Sequence, residues 1–163
     1  MIVWVAMKTK YQRYLNNNKN INRGYRKLIV WNEAIDLFDF VKRKLDTLKG
    51  ISFKTKAQIE DSALSISSNI AEGYCRRYLK ENIQFINIAL ASLGENYSQI
   101  FALLNSDIIE RKWFEEYDIK HYSLENKLIK LNKTYLEKLK NNESWKKDYY
   151  IKDIYEVYKS DND

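Results

Sequence analysis

The stretch from Gln58 to Tyr78, QIEDSALSISSNIAEGYCRRY, sets the tightest limit on what this chain can fold into. Its middle is nearly all small side chains: Ser62, Ala63, Ser65, Ser67, Ser68 and Ala71. Small residues let a second helix come close. Serine is a poor helix former alone, but its hydroxyl can bond back to a carbonyl of the preceding turn, so such a run belongs in a packed bundle rather than free in water. Gly73 stands where a left-handed C-cap would end the helix. The stretch predicts tight helix packing and no chemistry.

The remaining sequence repeats the helical pattern around it. No proline and only four glycines interrupt 163 residues, which suits long helices and few tight turns, and the length is that of one domain with one sizeable core. A first helix is predicted from Leu28 to Lys49, with Trp31, Ala34, Phe38, Val41, Leu45 and Leu48 stepping by three and four and Gly50 closing it. Val30, Ile35, Leu37 and Phe40 widen that seam. The second, Lys54 to Glu72, carries Ile59, Ala63, Ile66 and Ile70. The third, Lys80 to Leu104, is the most apolar, with Ile83, Ile86, Leu90, Leu93, Tyr97 and Ile100 in line and Phe85, Ile88, Ala89 and Phe101 off it. The fourth runs from Ile108 to Asn141 after an N-cap cluster, Asn105-Ser106-Asp107. Its stripe of Trp113, Tyr117, His121, Leu124, Leu128, Leu131, Tyr135 and Leu139 is flanked by a second line, Tyr122, Ile129 and Leu136, repeating every seven residues. Helices one, three and four thus carry more apolar surface than a lone bundle needs, which predicts contact with the terminal segments or another subunit.

The fold expected is all-α: an up-and-down antiparallel four-helix bundle over residues 28–141, a disordered basic N-terminal arm over 1–27, and a C-terminal extension over 142–163. In the extension, Ile151, Ile154, Tyr155 and Tyr158 fall at i, i+3, i+4 and i+7 with Trp145 upstream, the pattern of a short amphipathic helix.

Hydrophobic content of 45% with 31% charge is that of a folded soluble chain. No window has the roughly 18 unbroken apolar residues of a membrane span. The opening MIVWVA is too short for a signal segment and lacks a basic residue ahead of it, and Met7 could equally be the start. A single cysteine, Cys75, and a single histidine exclude an internal disulfide and a Cys/His zinc site, which suits a reducing cytoplasm. The formal charge of +6 is unevenly spread. Residues 1–27 hold Lys8, Lys10, Arg13, Lys19, Arg23, Arg26 and Lys27 and no acid, leaving 21 bases against 22 acids in the rest. Nucleic-acid contact is one reading of the arm and a solvated tail the other. Arg76, Arg77 and Lys80, near the end of the second helix, could touch phosphate or be merely solvated.

Catalytic chemistry is not legible. A serine or cysteine nucleophile needs a base nearby, and His121 lies on an apolar stripe as a core histidine would. Asp118 and His121 have the spacing of half a di-iron site, but the second histidine does not exist. The glycines form no phosphate loop, and no RNP pattern or zinc knuckle appears. No metal, no cofactor and no enzyme activity are expected.

From about Tyr25 to Asn141 the chain resembles the bacterial 23S ribosomal RNA intervening-sequence family of four-helix bundles. The residues that carry the resemblance are Leu28, Val30, Trp31 and Ala34 in YRKLIVWNEAI, then Gln58-Ile59, the string Ser68-Asn69-Ile70-Ala71-Glu72-Gly73, and ENIQFINIALASLGE. The resemblance implies a ring-like homopentamer, and nucleic-acid binding on the ground that many members are basic. The fold is also similar to that of the accessory variability determinant of diversity-generating retroelements, a basic pentamer that binds a reverse transcriptase and nucleic acid. Three positions depart from the family pattern. Glu60 and Asp61 replace two arginines and Ser67 replaces a proline, so a phosphate-binding surface at 60–61 in relatives would bind poorly here.

Two functions follow. One is a non-catalytic homo-oligomer that holds RNA or DNA through Lys8, Lys10, Arg13, Lys19, Arg23, Arg26, Lys27, Arg76, Arg77 and Lys80. The other is an interaction scaffold, an accessory subunit of a reverse transcriptase or other nucleic-acid enzyme, using the bundle surface and the Trp145–Tyr158 helix.

Overall fold

A computed structural model describes residues 21–143. Lys8, Lys10, Arg13, Lys19 and the helix expected over Trp145–Tyr158 lie outside the described residues. A seven-residue 3-10 helix, Ile21–Lys27, leads into four α-helices: α1 Ile29–Thr47, α2 Phe53–Cys75, α3 Leu79–Asn105 and α4 Arg111–Lys140. No strand occurs among the described residues. Each helix packs chiefly on its neighbours in the closed order α1, α2, α3, α4, α1, and α2 on α3 is the most extensive pairing. With links this short, consecutive helices run antiparallel and the bundle is up-and-down.

The three-four seams meet in one interior. Ala34, Leu37, Val41 and Leu45 of α1 face Ile59, Ala63, Ile66 and Ile70 of α2, with Ile86, Ala89, Leu93 and Ile100 of α3 and Tyr117, Leu124 and Leu128 of α4 closing the core. Burial of this apolar surface, at about 25 cal/mol per Å², is what the helices gain by associating.

The small-residue run lies against α3. Its hydroxyls bond backward, Ser62 to the Ile59 carbonyl at 3.0 Å, Ser67 and Ser68 to the Leu64 carbonyl at 3.1 and 3.0 Å. The Ser65 and Ser92 hydroxyls meet across the interface at 3.0 Å. A polar chain crosses the core. The Tyr117 hydroxyl donates to Asn96 Oδ1 at 2.9 Å, and Asn96 Nδ2 donates to the Ile59 carbonyl at 3.1 Å and to Ser62 Oγ at 2.9 Å.

Two expected helix ends are corrected. Gly73 is not a C-cap: α2 continues to Cys75, and Gly73 has no positive φ. It is a point of close approach, where a Cβ would fall 2.7 Å from Phe85 Cβ and 3.3 Å from the Asn82 carbonyl oxygen. Asn105-Ser106-Asp107 does not start α4 but stops α3. Asp107 takes φ 54, and the amides of Asp107 and Ile108 donate to the carbonyls of Leu104 (3.0 Å) and Leu103 (2.9 Å), the paired bonds of a Schellman motif. Short polar side chains tolerate the left-handed conformation as readily as they cap an N-terminus. Glu110 is the residue before α4 instead. The part of the arm over 21–27 is also helical rather than disordered.

Surplus apolar surface divides by element. On α1 most of it is absorbed, with Leu37 buried and Phe40 stacked on Trp113 at 5.0 Å between ring centroids, and Ile29 at its start stays exposed. On α3 and α4, Ile88, Phe101, Ile119, Tyr122, Ile129 and Leu136 remain exposed.

Candidate nucleic-acid interface

An up-and-down bundle gathers alternate termini at each end. The C-terminus of α2, the N-terminus of α3, the C-terminus of α4 and the 3-10 helix share one end. Gly50, at φ +79, and Asp107 turn the chain at the other.

At the first end the 3-10 helix is clamped to α1 and α2 by aromatic residues. Tyr25 stands edge-on to Trp31 at 5.2 Å and to Tyr74 at 6.2 Å. Gly24 is pressed so close to Tyr74 that a Cβ would lie 2.1 Å from the phenol oxygen. Asn32 Nδ2 donates to the carbonyls of Arg26 at 3.0 Å and Leu28 at 2.9 Å. Arg23, Arg26 and Lys27 are therefore carried on a fixed scaffold. Arg23 and Lys27 are exposed, and Arg26 Nε donates to the Arg23 carbonyl at 3.3 Å.

Two residues beyond Tyr74 the α2–α3 link brings the second basic group. Arg76 pairs with Glu72 and lies over the Phe85 ring at 4.8 Å. Arg77 lies over Tyr78 at 5.6 Å, and Tyr78 is 60% exposed. Lys80 is exposed one turn on. Glu81 is engaged locally, its carboxylate accepting the Tyr78 amide at 3.2 Å. The structure thus brings Arg23, Arg26, Lys27, Arg76, Arg77 and Lys80 to one end, while Lys8, Lys10, Arg13 and Lys19 lie outside the described residues.

Three residues at this end were missed from sequence. Lys138 and Lys140 occupy the last turn of α4, where the helix dipole favours cations. Their position follows from the topology, not from any local motif. Tyr78 presents an aromatic face among bases, and the string YCRRY was the available signal.

The acidic pair lies elsewhere. Lys42 of α1 bridges Asp46 at 2.5 Å and Glu60 at 3.2 Å, and those two bonds, Asp46 first, hold its ammonium above the usual lysine range. Glu60 precedes Arg76 by sixteen residues of one helix, about 24 Å along the axis. That is roughly three Debye lengths at physiological salt, so Glu60 and Asp61 do not oppose the basic end.

His121 is buried. Its Nε2 lies 3.0 Å from the Leu93 carbonyl oxygen, which requires a proton on Nε2, and its ring packs on Tyr97 at 4.9 Å. No group of three or more His, Cys, Asp or Glu side chains that could hold a metal occurs among the described residues. No described helix is long and apolar enough to cross a membrane.

The sequence profile of the 23S rRNA-intervening sequence protein family matches residues 26–130, well over half of the chain. The chain belongs to this family. The matched span begins at Arg26 and takes in the α2–α3 link, so the basic end falls largely inside the family domain. A solved structure of a protein of unknown function from the S23 ribosomal protein family of Bacteroides thetaiotaomicron is similar in fold. The TM-score is 0.60 at 22% identity, covering 64% of this chain and 99% of that one. Among curated proteins, none matches the chain.

Within this intervening-sequence protein the family string has a structural reading. Ile70 is in the core and Gly73 is the crossing point with α3. Asn69 Nδ2 bonds the Ser65 carbonyl at 2.7 Å, Glu72 anchors Arg76, and Ser68 back-bonds within its own helix. Trp31, from the opening motif, holds Tyr25 and through it the 3-10 helix.

Proposed function

We propose that this family member is a non-catalytic, self-associating bundle that holds RNA or DNA by phosphate contact at the end formed by the 3-10 helix and the α2–α3 link. The observation that carries the reading is the convergence there of two basic groups far apart in sequence, Arg23, Arg26 and Lys27 with Arg76, Arg77 and Lys80. The sequence ahead of Ile21 holds four further bases, Lys8, Lys10, Arg13 and Lys19. A surface built from lysine and arginine, without base-reading elements, would bind any sequence and depend strongly on salt. Exposed apolar residues on α3, including Ile88 and Phe101, support self-association.

The test is equilibrium binding of a labelled RNA and a labelled duplex to three proteins: the full chain, the chain started at Ile21, and the full chain carrying Arg77→Glu with Lys80→Glu. Starting at Ile21 removes four bases and keeps the Tyr25 clamp, which a start at Leu28 would destroy. Both changes should weaken binding at every salt concentration. Affinity unchanged by either would overturn the proposal. Sedimentation of the full chain tests the self-association separately.

A further inference from the structure

We propose that the C-terminal segment Trp145–Tyr158 folds back as a helix on the outer face of α4 of its own chain. The argument starts from surface left wet. On α4, Ile119 is 71% exposed, Tyr122 64%, Ile129 51% and Leu136 41%. The spacings of three, seven and seven put them on one side of a helix, away from the core line of Tyr117, Leu124, Leu128 and Tyr135. A stripe of large apolar residues about 25 Å long is costly to leave in water.

α4 is closed a little over one turn beyond Leu136, the last residue of that stripe. Asn142 is left-handed at φ 50, and the amides of Asn142 and Glu143 donate to the carbonyls of Leu139 (3.3 Å) and Lys138 (3.0 Å). This is the same Schellman closure that ends α3 before the chain reverses into α4. Twenty residues remain after Glu143. Among them Ile151, Ile154, Tyr155 and Tyr158 form an apolar face of helical period. Fourteen residues of helix span about 20 Å, enough to run antiparallel from the end of α4 past Leu136 and Ile129 toward Tyr122. In an antiparallel register centred on Asn142, Ile154 would fall about level with Ile129. The short tether keeps the segment at an effective concentration in the millimolar range beside the stripe, which a separate partner would have to outcompete. Docking there leaves other exposed apolar residues, among them Leu64 of α2 and Ile88 and Phe101 of α3, open to a second copy.

Hydrogen exchange on the full chain, with and without Ile129→Lys, tests the docking. Amides of residues 149–158 should exchange at least tenfold more slowly than a free peptide, and Ile129→Lys should return them to the free rate. Free exchange in the unmodified chain overturns the proposal, and so does protection that survives Ile129→Lys. A second measurement places the segment. In a Cys75→Ser chain carrying Ile129→Cys and Ile154→Cys, mild oxidation should give a disulfide within one chain. A product linked only between chains would show that a neighbour's segment occupies the stripe and would overturn docking in its own chain.

Discussion

Gly73 and Gly94 are both glycines inside helices, yet alanine should move stability in opposite directions at the two. At Gly73 a methyl group would meet Phe85 Cβ at 2.7 Å and backbone at 3.3 Å, and neither can step aside. Gly73→Ala should therefore cost about 1–3 kcal/mol through separation of α2 and α3. At Gly94 nothing lies within 4 Å, so Gly94→Ala should stabilise by about 0.5–1 kcal/mol through helix propensity. Urea titration of both variants measures the pair, and equal shifts would contradict the crossing. The sequence marked Gly73 as special for the wrong reason. A glycine needed for left-handed backbone and one needed for close approach look alike until the neighbouring helix is in place. Tyr78 has a similar history, since an aromatic among arginines is unremarkable until its ring is seen to be exposed. Tyr78→Ala should weaken single-stranded RNA binding by about 1–3 kcal/mol by removing a stacking surface, and should leave duplex binding nearly unchanged. Parallel titrations with the two ligands give the contrast.

At the scale of elements, the four helices were legible because each carries an unbroken three-four stripe and no proline interrupts it. Their ends were less so, because Asn105-Ser106-Asp107 supports either a start or a stop and only the tertiary path chooses. The polar chain across the core was not legible at all. Asn96 and Tyr117 are on different helices, and nothing local says that they meet. Asn96 is fully buried, and Asn96→Ala would strip partners from the Tyr117 hydroxyl, Ser62 and the Ile59 carbonyl. A loss of about 2–4 kcal/mol is expected, read by denaturant unfolding. The same core makes stability sensitive to alkali. Burial raises the phenol pKa of Tyr117, Tyr97 and Tyr135, with the Asp118 carboxylate adding to the effect at Tyr97. The folded state therefore holds those protons after the unfolded chain has released them. Stability is complete below the ordinary tyrosine value near pH 10 and falls as pH rises beyond it. Thermal melts from pH 8 to 11 should show a plateau followed by a steady decline, and Tyr117→Phe, although less stable at pH 8, should decline less steeply.

For the whole molecule, the basic groups could be read from sequence but their meeting could not. Arg26 and Arg76 are fifty residues apart, and only the closed order of helices brings the 3-10 helix onto the end of α2. The same topology separates the acids from the bases, so the poor phosphate binding expected at Glu60 and Asp61 is local to that stretch of α2 and does not extend to its basic end. If contact is confined to one end, charge there should govern the salt dependence and charge 24 Å away should not. Arg77→Gln with Lys80→Gln should lower the steepness of log affinity against log salt by roughly 1.4–1.8, two phosphate contacts at about 0.7–0.9 each. Asp61→Asn adds the same sign of local charge that the family pattern would supply, and Asp61 is exposed. At physiological salt it should leave both affinity and slope within about twofold. If Asp61→Asn instead raised the affinity as strongly as the double substitution lowers it, the bound nucleic acid would run the length of α2 rather than resting on its end.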